Sequence, residues 1–352
     1  MNGDYYFSAS YYLARKRFRK AARKAGARLH RLYWGLRGPQ GEKLCIDIAV
    51  FGPKRAKRVI IHSSGVHGVE GFAGSAIQLR LLEHPPRLPA DGALIVVHCA
   101  NPYGMARMRR VNESNVDLNR NFLRTEEWGA AGAHEGYNLL HSVLNPVGRP
   151  PRLDLFTPRL ALQAIRHGFD YLKQAAGEGQ YLYPGALFFG GDRLEHGPHL
   201  LMKWLRKHLK HAKRVCAIDV HTGVGEKGED WLIMERSTDG DYHNHLESRY
   251  GRKRMETYAD NGMYRTRGSL DFGLEAAVRP GTELEFITEE FGTTVGGRTM
   301  LRALRDENRW FHLGADLDHP ARRYLQHCFA PQAARWQRRV LESGMRLLGR
   351  AA

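Results

Sequence analysis

VIIHSSGVHGVEGFAGSAIQLRLLE, residues 59–83, is the stretch of this chain that decides its fold. It opens with a short apolar run, 59–62, of the kind that forms a buried strand. A glycine-rich loop, 63–74, follows, and a helical stretch, 75–83, comes directly after the loop. A strand, a loop and a helix in this order are typical of an α/β protein.

Similar runs recur along the chain and alternate with helical stretches. Residues 43–51 alternate between apolar and polar side chains, and 93–99 and 215–220 are short apolar runs. Because strands that alternate with helices build a sheet with a parallel or mixed centre, we predict an α/β fold. We expect a single domain with a mixed, largely parallel central sheet flanked by helices. Further strands are predicted at 231–235 and 283–288, and a helix at 299–309.

The 352 residues contain no internal repeat and no low-complexity linker, so we predict one domain, 1–352. A basic N-terminal helix is predicted at about 11–31. The middle of the chain, about 123–212, is rich in helix-forming residues and is interrupted by prolines. We interpret it as a helical insertion.

Composition restricts the class of protein. Hydrophobic residues make up 42% and charged residues 26%, which is typical of a globular protein. The longest apolar runs are too short to span a bilayer, and the opening residues MNGDYYFSAS show no secretory signal, so a cytoplasmic location is expected. The four cysteines are scattered without a CxxC pair, which favours buried thiols over a disulfide framework or a cysteine zinc site.

The net charge of +17 would attract anionic partners. Much of it lies in 15–31 and in an arginine-rich C-terminal tail. In the first of these segments Tyr12, Phe18, Ala22 and Leu29 recur at roughly helical spacing. This favours a solvated helix that packs on the domain through one apolar stripe, with contact to nucleic acid or a membrane surface as the less favoured interpretation.

Three residues form a candidate metal site. His67 and Glu70 lie three residues apart in the glycine-flanked loop, and His221 ends the strand 215–220. Two histidines and one carboxylate, with the fourth position open to water, are a common ligand set for catalytic zinc. Each element alone occurs by chance in many proteins. Their positions at the ends of strands favour one shared site, since ligands bind beyond the carboxyl ends of strands in open α/β sheets.

The loop after the second buried strand carries candidate substrate-binding groups. Arg109 and Arg110 are followed by Asn119 and Arg120 in the run VDLNRNF. An arginine matches a carboxylate with two parallel hydrogen bonds, which suits a substrate that has a free carboxylate near an amide or ester bond. A structural ion pair between Arg120 and Asp117 is an alternative of similar weight.

Hydrolysis also requires a general acid/base, and the run ELEFITEEF at 283–291 supplies glutamates. Alternation along a strand puts Glu290 on the face opposite Glu283, Glu285 and Glu289. A carboxylate on the apolar face needs a functional reason for its burial, which favours Glu290 as the base and leaves Glu285 as the second choice.

The order of these motifs resembles the zinc carboxypeptidase superfamily. His67-x-x-Glu70 is followed by NPYG with arginines and DLNRNF, then by DVHTG at His221 and EEFGT at Glu290. The strings SSGVHGVEGFAGSA, RRVNESNVDLNRNF and LRALRDEN resemble a bacterial branch described mainly as a domain of unknown function, over about residues 5–315. The arrangement is also similar to that of succinylglutamate desuccinylase and aspartoacylase, which are deacylases.

This resemblance implies a role for each candidate. It implies zinc on His67, Glu70 and His221, and Glu290 as the general acid/base. It implies that Arg109 polarises the scissile carbonyl and stabilises the oxyanion, and that Asn119 and Arg120 bind the substrate carboxylate. No motif identifies the tyrosine that closes over the substrate in the peptidases; Tyr264 lies in the corresponding part of the chain, where a core or rim tyrosine is the favoured interpretation. The specificity-pocket residue has no clear counterpart.

The sequence therefore predicts a zinc-dependent hydrolase that cleaves an amide bond in a carboxylate-bearing substrate, as metallocarboxypeptidases do. An N-acyl amino acid deacylase of the same fold is the alternative, so the expected partner is a small peptide or an N-acyl amino acid. A basic protein that binds nucleic acid or an anionic surface is the alternative of a different class, and nucleic acid is the less favoured partner. The oligomeric state and a second metal are left open.

Overall fold

An eight-stranded mixed sheet forms the centre of the computed structural model, which describes residues 5–132, 134–234, 240–251, 255–256, 264–293 and 296–352. Its strands run in the spatial order β1-β2-β4-β3-β5-β8-β6-β7. The strands are β1 Arg28–Leu32, β2 Ile46–Phe51, β3 Arg58–Ser64, β4 Gly92–His98, β5 Arg214–Gly223, β6 Asp230–Ile233, β7 Met255–Glu256 and β8 Glu283–Gly292.

The four central strands, β4, β3, β5 and β8, are parallel to one another. On one side β2 pairs antiparallel with β4, and β1 pairs antiparallel with β2. On the other side β6 pairs antiparallel with β8. The predicted α/β fold with a mixed, largely parallel sheet is thus confirmed.

Helices cover both faces of this sheet. In β5, Val215 and Ala217 join the core cluster that contains residues of α7 and α9, whereas Cys216 and Ile218 join the cluster that contains residues of α1, α2, α8 and α12. This alternation follows from the period of two along a strand. The helices are α1 Tyr11–Lys24, α2 Gly71–Glu83, α3 Pro102–Ala106, α4 Glu135–Leu144, α5 Phe156–His167, α6 Phe169–Gly177, α7 His196–Leu209, α8 Gly240–Tyr250, α9 Leu270–Ala277, α10 Gly297–His312, α11 Pro320–Phe329 and α12 Ala334–Ala351.

The N-terminal helix is shorter than predicted. α1 ends at Lys24, and Gly26 then adopts a left-handed conformation with φ +76°, which reverses the chain so that β1 can pair with the edge of β2. The prediction of helix from 25 to 31 is wrong because pairing with β2 outweighs the local helical pattern. Phe18 and Ala22 of the predicted apolar stripe are buried, but Tyr11 takes the place expected for Tyr12, which is 48% exposed.

The segment predicted as a helical insertion, 123–212, contains α4 to α7. Residues of α4, α5 and α6 pack with residues of α10 and α11 in an apolar cluster of their own. α7 instead contributes to the core on the sheet. The last helix of the segment, α7, is therefore one of the helices that pack directly on the sheet.

The described part of the structure agrees with two predictions made from composition, the lack of a membrane-spanning run and the buried cysteines. Among the described residues, no helix combines the length and the apolarity needed to cross a bilayer. All four cysteines are buried free thiols, as expected.

Candidate metal centre

Polar side chains gather where the central parallel strands end. Along β3, β5 and β8, the residues that face α7 and α9 are apolar at first and polar near the carboxyl ends. In β5 the face of Val215 and Ala217 continues with Asp219 and His221, and the adjacent strands place Ser63 beside Asp219 and Glu290 beside His221. The fold therefore brings residues far apart in sequence to one edge of the sheet.

The loop after β3 holds two of the predicted ligands. Gly65 has φ +69°, and a Cβ atom there would lie 2.4 Å from the Cys99 sulfur, so only glycine fits. The following turn is tied to the loop after α3, because the amide of Gly68 donates to the carbonyl of Arg110 and the amide of Val69 donates to the carbonyl of Arg109. These contacts fix the backbone that directly follows His67.

His67, Glu70 and His221 come together as a buried cluster. One ligand atom from each lies within 4.8 Å of the others. The two oxygens of Glu70 lie between the histidines, with Oε1 at 3.1 Å from His67 Nδ1 and Oε2 at 3.4 Å from His221 Nδ1. Two imidazole nitrogens and a carboxylate at this spacing are suited to a divalent cation such as zinc.

The other ring nitrogen of each histidine, Nε2, is hydrogen-bonded to a carboxylate. His67 Nε2 lies 3.0 Å from Asp117 Oδ1, and His221 Nε2 lies 2.7 Å from Asp219 Oδ2. Because an ionised carboxylate only accepts, each Nε2 donates, and each Nδ1 is the ring nitrogen that faces Glu70 at the centre of the cluster. His67 Nδ1 is buried and, although Glu70 Oε1 lies 3.1 Å away, forms no hydrogen bond of acceptable geometry, which fits an atom built to ligate a metal.

Charges in the cluster shift the pKa values of its members. Burial alone would raise the pKa of Glu70, but His67 and Arg110 hold it below its usual range. Burial would likewise raise the pKa of Asp117, but Arg120, His67 and Arg110 keep it well below the usual value. Both carboxylates are therefore ionised at neutral pH, as ligation and orientation of a cation require.

Glu290 lies in the same pocket as the cluster. Its Oε1 accepts a hydrogen bond of 2.9 Å from the amide of Val224. Burial first, and then the negative charge of Glu70, raise the pKa of Glu290 to about 7, the range of a general acid/base near neutral pH. Glu285, the second choice, binds Arg249 at 3.0 Å and lies outside this pocket.

Arg109 does not face the cluster, which corrects its expected position. Its Nε donates to Glu307 Oε1 at 3.0 Å, its Nη2 donates to Asn115 and Asn308, and the guanidinium lies 3.5 Å from the centre of the Phe311 ring. The side chain is fully buried. These partners hold it between its own loop and α10, away from the histidines.

Arg110 occupies the position that was expected for Arg109. Its Nη1 donates to Glu70 Oε1 at 2.6 Å and its Nε donates to Asp117 Oδ2 at 3.3 Å. It also lines the pocket beside His67 and Glu290. The sequence offers two adjacent arginines in an irregular loop without a periodic pattern, so no signal in it decides which one faces inward.

Asn119 and Arg120 line the pocket as well. The Oδ1 of Asn119 accepts from the amide of Leu270, which leaves its Nδ2 for other partners. Arg120 lies 3.2 Å from Asp117 and donates to the carbonyl of Gly177 at 2.6 Å. The structural ion pair considered from the sequence is therefore present, while the buried Nε of Arg120 has no partner.

Tyr264 is half-buried and lines the same pocket, although no motif identified it. Its ring packs against Gly177, at the end of α6, where a Cβ atom would lie 2.2 Å from the ring. The pocket has a volume of about 200 Å³. The remaining lining is formed by apolar side chains and threonines, among them Phe188, Ile233, Met300, Leu304, Phe329, Thr266 and Thr288.

Comparison with known proteins gives one family. The family model described as "Protein of unknown function (DUF2817)" matches residues 7–343. A search of the curated proteins finds no match.

Solved structures that are similar to this chain include a carboxypeptidase, an amidase and an aspartoacylase family protein. Carboxypeptidase A from Helicoverpa armigera is 12% identical, with a TM-score of 0.52 over 98% of this chain and 73% of that chain. Murein-tripeptide amidase MpaA from Escherichia coli O157 is 17% identical, with a TM-score of 0.37 over 80% and 92%. An aspartoacylase family protein from Mesorhizobium loti is 16% identical, with a TM-score of 0.37 over 82% and 67%. The likeness to the carboxypeptidase supports the fold alone.

Proposed function

This chain belongs to the DUF2817 family, and we propose that it is a zinc-dependent hydrolase that cleaves an amide bond in a small substrate with a free carboxylate. The observation that carries the proposal is the buried cluster of His67, Glu70 and His221, with Glu290 in the same pocket. The fold by itself would not support a hydrolase function, since proteins with one fold have many different functions.

His67 Nδ1, the Glu70 carboxylate and His221 Nδ1 are the atoms that would hold the metal. When bound, zinc lowers the pKa of water to about 7 and polarises a carbonyl oxygen. Asp117 and Asp219 keep the imidazoles in the required tautomer and orientation. Loss of either carboxylate is expected to weaken metal binding without removing a ligand.

Glu290 is the group that moves the proton. Its carboxylate takes a proton from water as the water oxygen bonds to the carbonyl carbon, and it then gives that proton to the amide nitrogen as the C–N bond breaks, so that a carboxylic acid and an amine are released. Val224 holds one carboxylate oxygen through its amide, which limits rotation of the side chain. The raised pKa of Glu290, about 7, allows both directions of transfer near neutral pH.

Three polar side chains line the pocket for the substrate. Arg110 carries a permanent positive charge beside Glu70 and is the candidate to stabilise the negative charge that develops on the carbonyl oxygen. Asn119, through its Nδ2, and Arg120 line the pocket and are the candidates to bind a substrate carboxylate. Tyr264 closes one side of the pocket, and the apolar lining suits a substrate with an uncharged side chain.

A matched pair of glutamate variants tests this proposal. Glu290 and Glu289 are adjacent and buried, but Glu289 lies on the opposite face of β8, outside the pocket. Glu290→Gln is expected to retain the metal and to lose activity by roughly 10²–10⁴-fold, whereas Glu289→Gln retains activity. Rates are measured on a panel of short peptides and N-acyl amino acids with the zinc-loaded protein.

The panel also separates the two kinds of substrate. Release of a C-terminal amino acid from peptides identifies a carboxypeptidase, and release of an acyl group from N-acyl amino acids identifies a deacylase. Full activity in Glu290→Gln would contradict the role of this residue. Failure to hydrolyse any amide in the panel would argue against the proposed reaction.

A further inference from the structure

α5 is apolar on two opposite faces, and only one of them is covered. Phe156, Leu160 and Ala164 pack into the helical cluster beside the sheet. Leu162 and Ile165 lie on the other side of the helix and are 44% and 83% exposed. An amphipathic surface helix normally shows a single apolar face, so the second face needs an explanation.

Further exposed apolar side chains lie in the segments directly before and after this helix in the chain. Leu153 and Val147 precede α5 and are 73% and 93% exposed, and Phe169 and Tyr171 follow it at 68% and 40%. We refer to these side chains, with Leu155, Leu162 and Ile165, as the 147–171 surface. Exposed large apolar side chains occur singly on most proteins, but a concentration in one short segment marks an interaction site.

Basic side chains are interleaved with these apolar ones. Among the described residues, none of the four exposed arginines in this segment forms an ion pair: Arg149, Arg152, Arg159 and Arg166. Asp170 is its only exposed acid, since Asp154 is half-buried and pairs with Arg305. The surface therefore combines unpaired positive charge with unburied apolar area.

A second copy of this chain fits the surface poorly, because a two-fold contact would place two positively charged patches against each other. A nucleic acid backbone would pair with the arginines but would leave the leucine, isoleucine and phenylalanine side chains without an apolar partner. A bilayer with anionic lipid offers both, since its headgroups attract arginine and its acyl boundary accepts apolar side chains.

We propose that the 147–171 surface docks on the surface of membranes that contain anionic lipid, without crossing them. Phe169 and Tyr171 have the aromatic character of residues found at the membrane–water interface. α6 connects this surface to the pocket, because the carbonyl of Gly177 at its end accepts from Arg120. The inference rests on exposure and charge and does not depend on the proposed hydrolase activity.

Sedimentation with lipid vesicles tests the proposal on the full chain. Vesicles of phosphatidylcholine and phosphatidylserine in equal parts are expected to bind the protein, and vesicles of phosphatidylcholine alone to bind it much more weakly. Replacing Leu162, Ile165 and Phe169 together by serine should lower the partition coefficient by roughly tenfold or more. Arg159→Gln with Arg166→Gln should lower it by a similar factor. Because all five side chains are exposed, the melting temperature should not change.

A control distinguishes this surface from the net charge of the whole protein. Arg335→Gln with Arg338→Gln removes the same charge from exposed positions on α12 and should leave vesicle binding nearly unchanged. An equal loss in this control, or no binding to anionic vesicles, would overturn the proposal. So would sedimentation equilibrium that shows a dimer in the wild type and a monomer in the triple serine variant, since the surface would then join two copies.

Discussion

At the scale of single residues, Arg109 and Arg110 are adjacent but serve different parts of the molecule. Arg109 binds Glu307 on α10 and is fully buried, whereas Arg110 binds Glu70 in the candidate metal centre. The carbonyls of both residues accept from the turn that carries Glu70. The side chain of Arg109 therefore holds the loop against α10, whereas the side chain of Arg110 lines the pocket.

Substitution of each arginine should separate these roles. Arg110→Met is expected to lower kcat/KM by roughly 10²–10³-fold, as loss of an oxyanion donor does. It should lower stability less than Arg109→Met, because Glu70 keeps His67 and Asp117 keeps Arg120 as a charged partner. Arg109→Met should instead lower the free energy of unfolding by about 3–5 kcal/mol, because it leaves Glu307 buried without its closest partner. Urea unfolding and steady-state kinetics measure the two effects. A folded Arg109→Met protein without activity, beside an active Arg110→Met protein, would reverse the assignment.

A second chain of contacts leads from β3 to the metal centre. The hydroxyl of Ser63 donates to Asp219 Oδ1, and Asp219 Oδ2 accepts from His221 Nε2 at 2.7 Å. Ser63 thus fixes the carboxylate that orients a predicted ligand. Its neighbour Ser64 points to the other face of the sheet, where its buried hydroxyl has no partner.

This contact predicts a difference between two adjacent serines. Asp219→Asn is expected to weaken zinc binding by roughly 10–100-fold, as loss of an orienting carboxylate does. Ser63→Ala should weaken it in the same direction by a smaller factor, and Ser64→Ala should not change it. Competition with a zinc chelator measures the three dissociation constants. Equal affinities in Ser63→Ala and Ser64→Ala would show that the hydroxyl does not support the site.

Four of the residues that motifs identify are brought together by the fold, whereas Arg109, which the motifs also identified, lies apart from them. His67, Glu70, His221 and Glu290 lie at strand ends or beside glycines, where burial of a polar side chain is readable from the sequence. Contacts made by residues in irregular loops cannot be predicted from the sequence pattern. The choice between the two arginines and the position of Tyr264 depend on packing between segments far apart in the chain.

At the scale of elements, α2 and the sheet enclose two neutral histidines. His62 on β3 contacts Gln78, and His98 on β4 contacts Ser75. Burial lowers the pKa of each histidine from 6.5 to about 4. Each is therefore uncharged in the folded protein at pH values where it is protonated in the unfolded chain.

This difference predicts how stability depends on pH. Between pH 6.5 and 4 the unfolded chain binds more protons than the folded protein at these two positions, so stability falls as pH falls. At pH 5.5 each histidine should lower the free energy of unfolding by about 1.4 kcal/mol relative to pH 7.5. Urea unfolding at both pH values should show a smaller loss in His98→Gln and an unchanged loss in the exposed control His84→Gln. An identical pH dependence in all three proteins would contradict this account.

The prediction of elements succeeded where the apolar pattern was unambiguous. The buried central strands and α2 follow from short apolar runs next to glycine-rich loops. The helix predicted to reach residue 31 failed because the turn at Gly26 and the pairing of β1 with β2 depend on a partner strand that local pattern does not reveal. The basic side chains in 28–32 hide the strand pattern of β1, so only its pairing with β2 reveals it as a strand.

At the scale of the whole molecule, some of the basic residues behind the net charge of +17 form ion pairs with buried acids instead of facing solvent. Arg15 and Arg19 on α1 both bind Asp47, which is fully buried on β2. Part of the basic helix therefore fastens α1 to the sheet. The unpaired arginines of the 147–171 surface lie elsewhere, so charge alone would not have located that surface.

The central claim is that this fold assembles a zinc site from His67, Glu70 and His221. The most direct test is elemental analysis of protein purified without added metal. Wild type should contain about one zinc per chain, His67→Ala with His221→Ala should contain almost none, and His62→Gln should keep the full amount. Absence of zinc in the wild type, or unchanged zinc in the double variant, would contradict the claim.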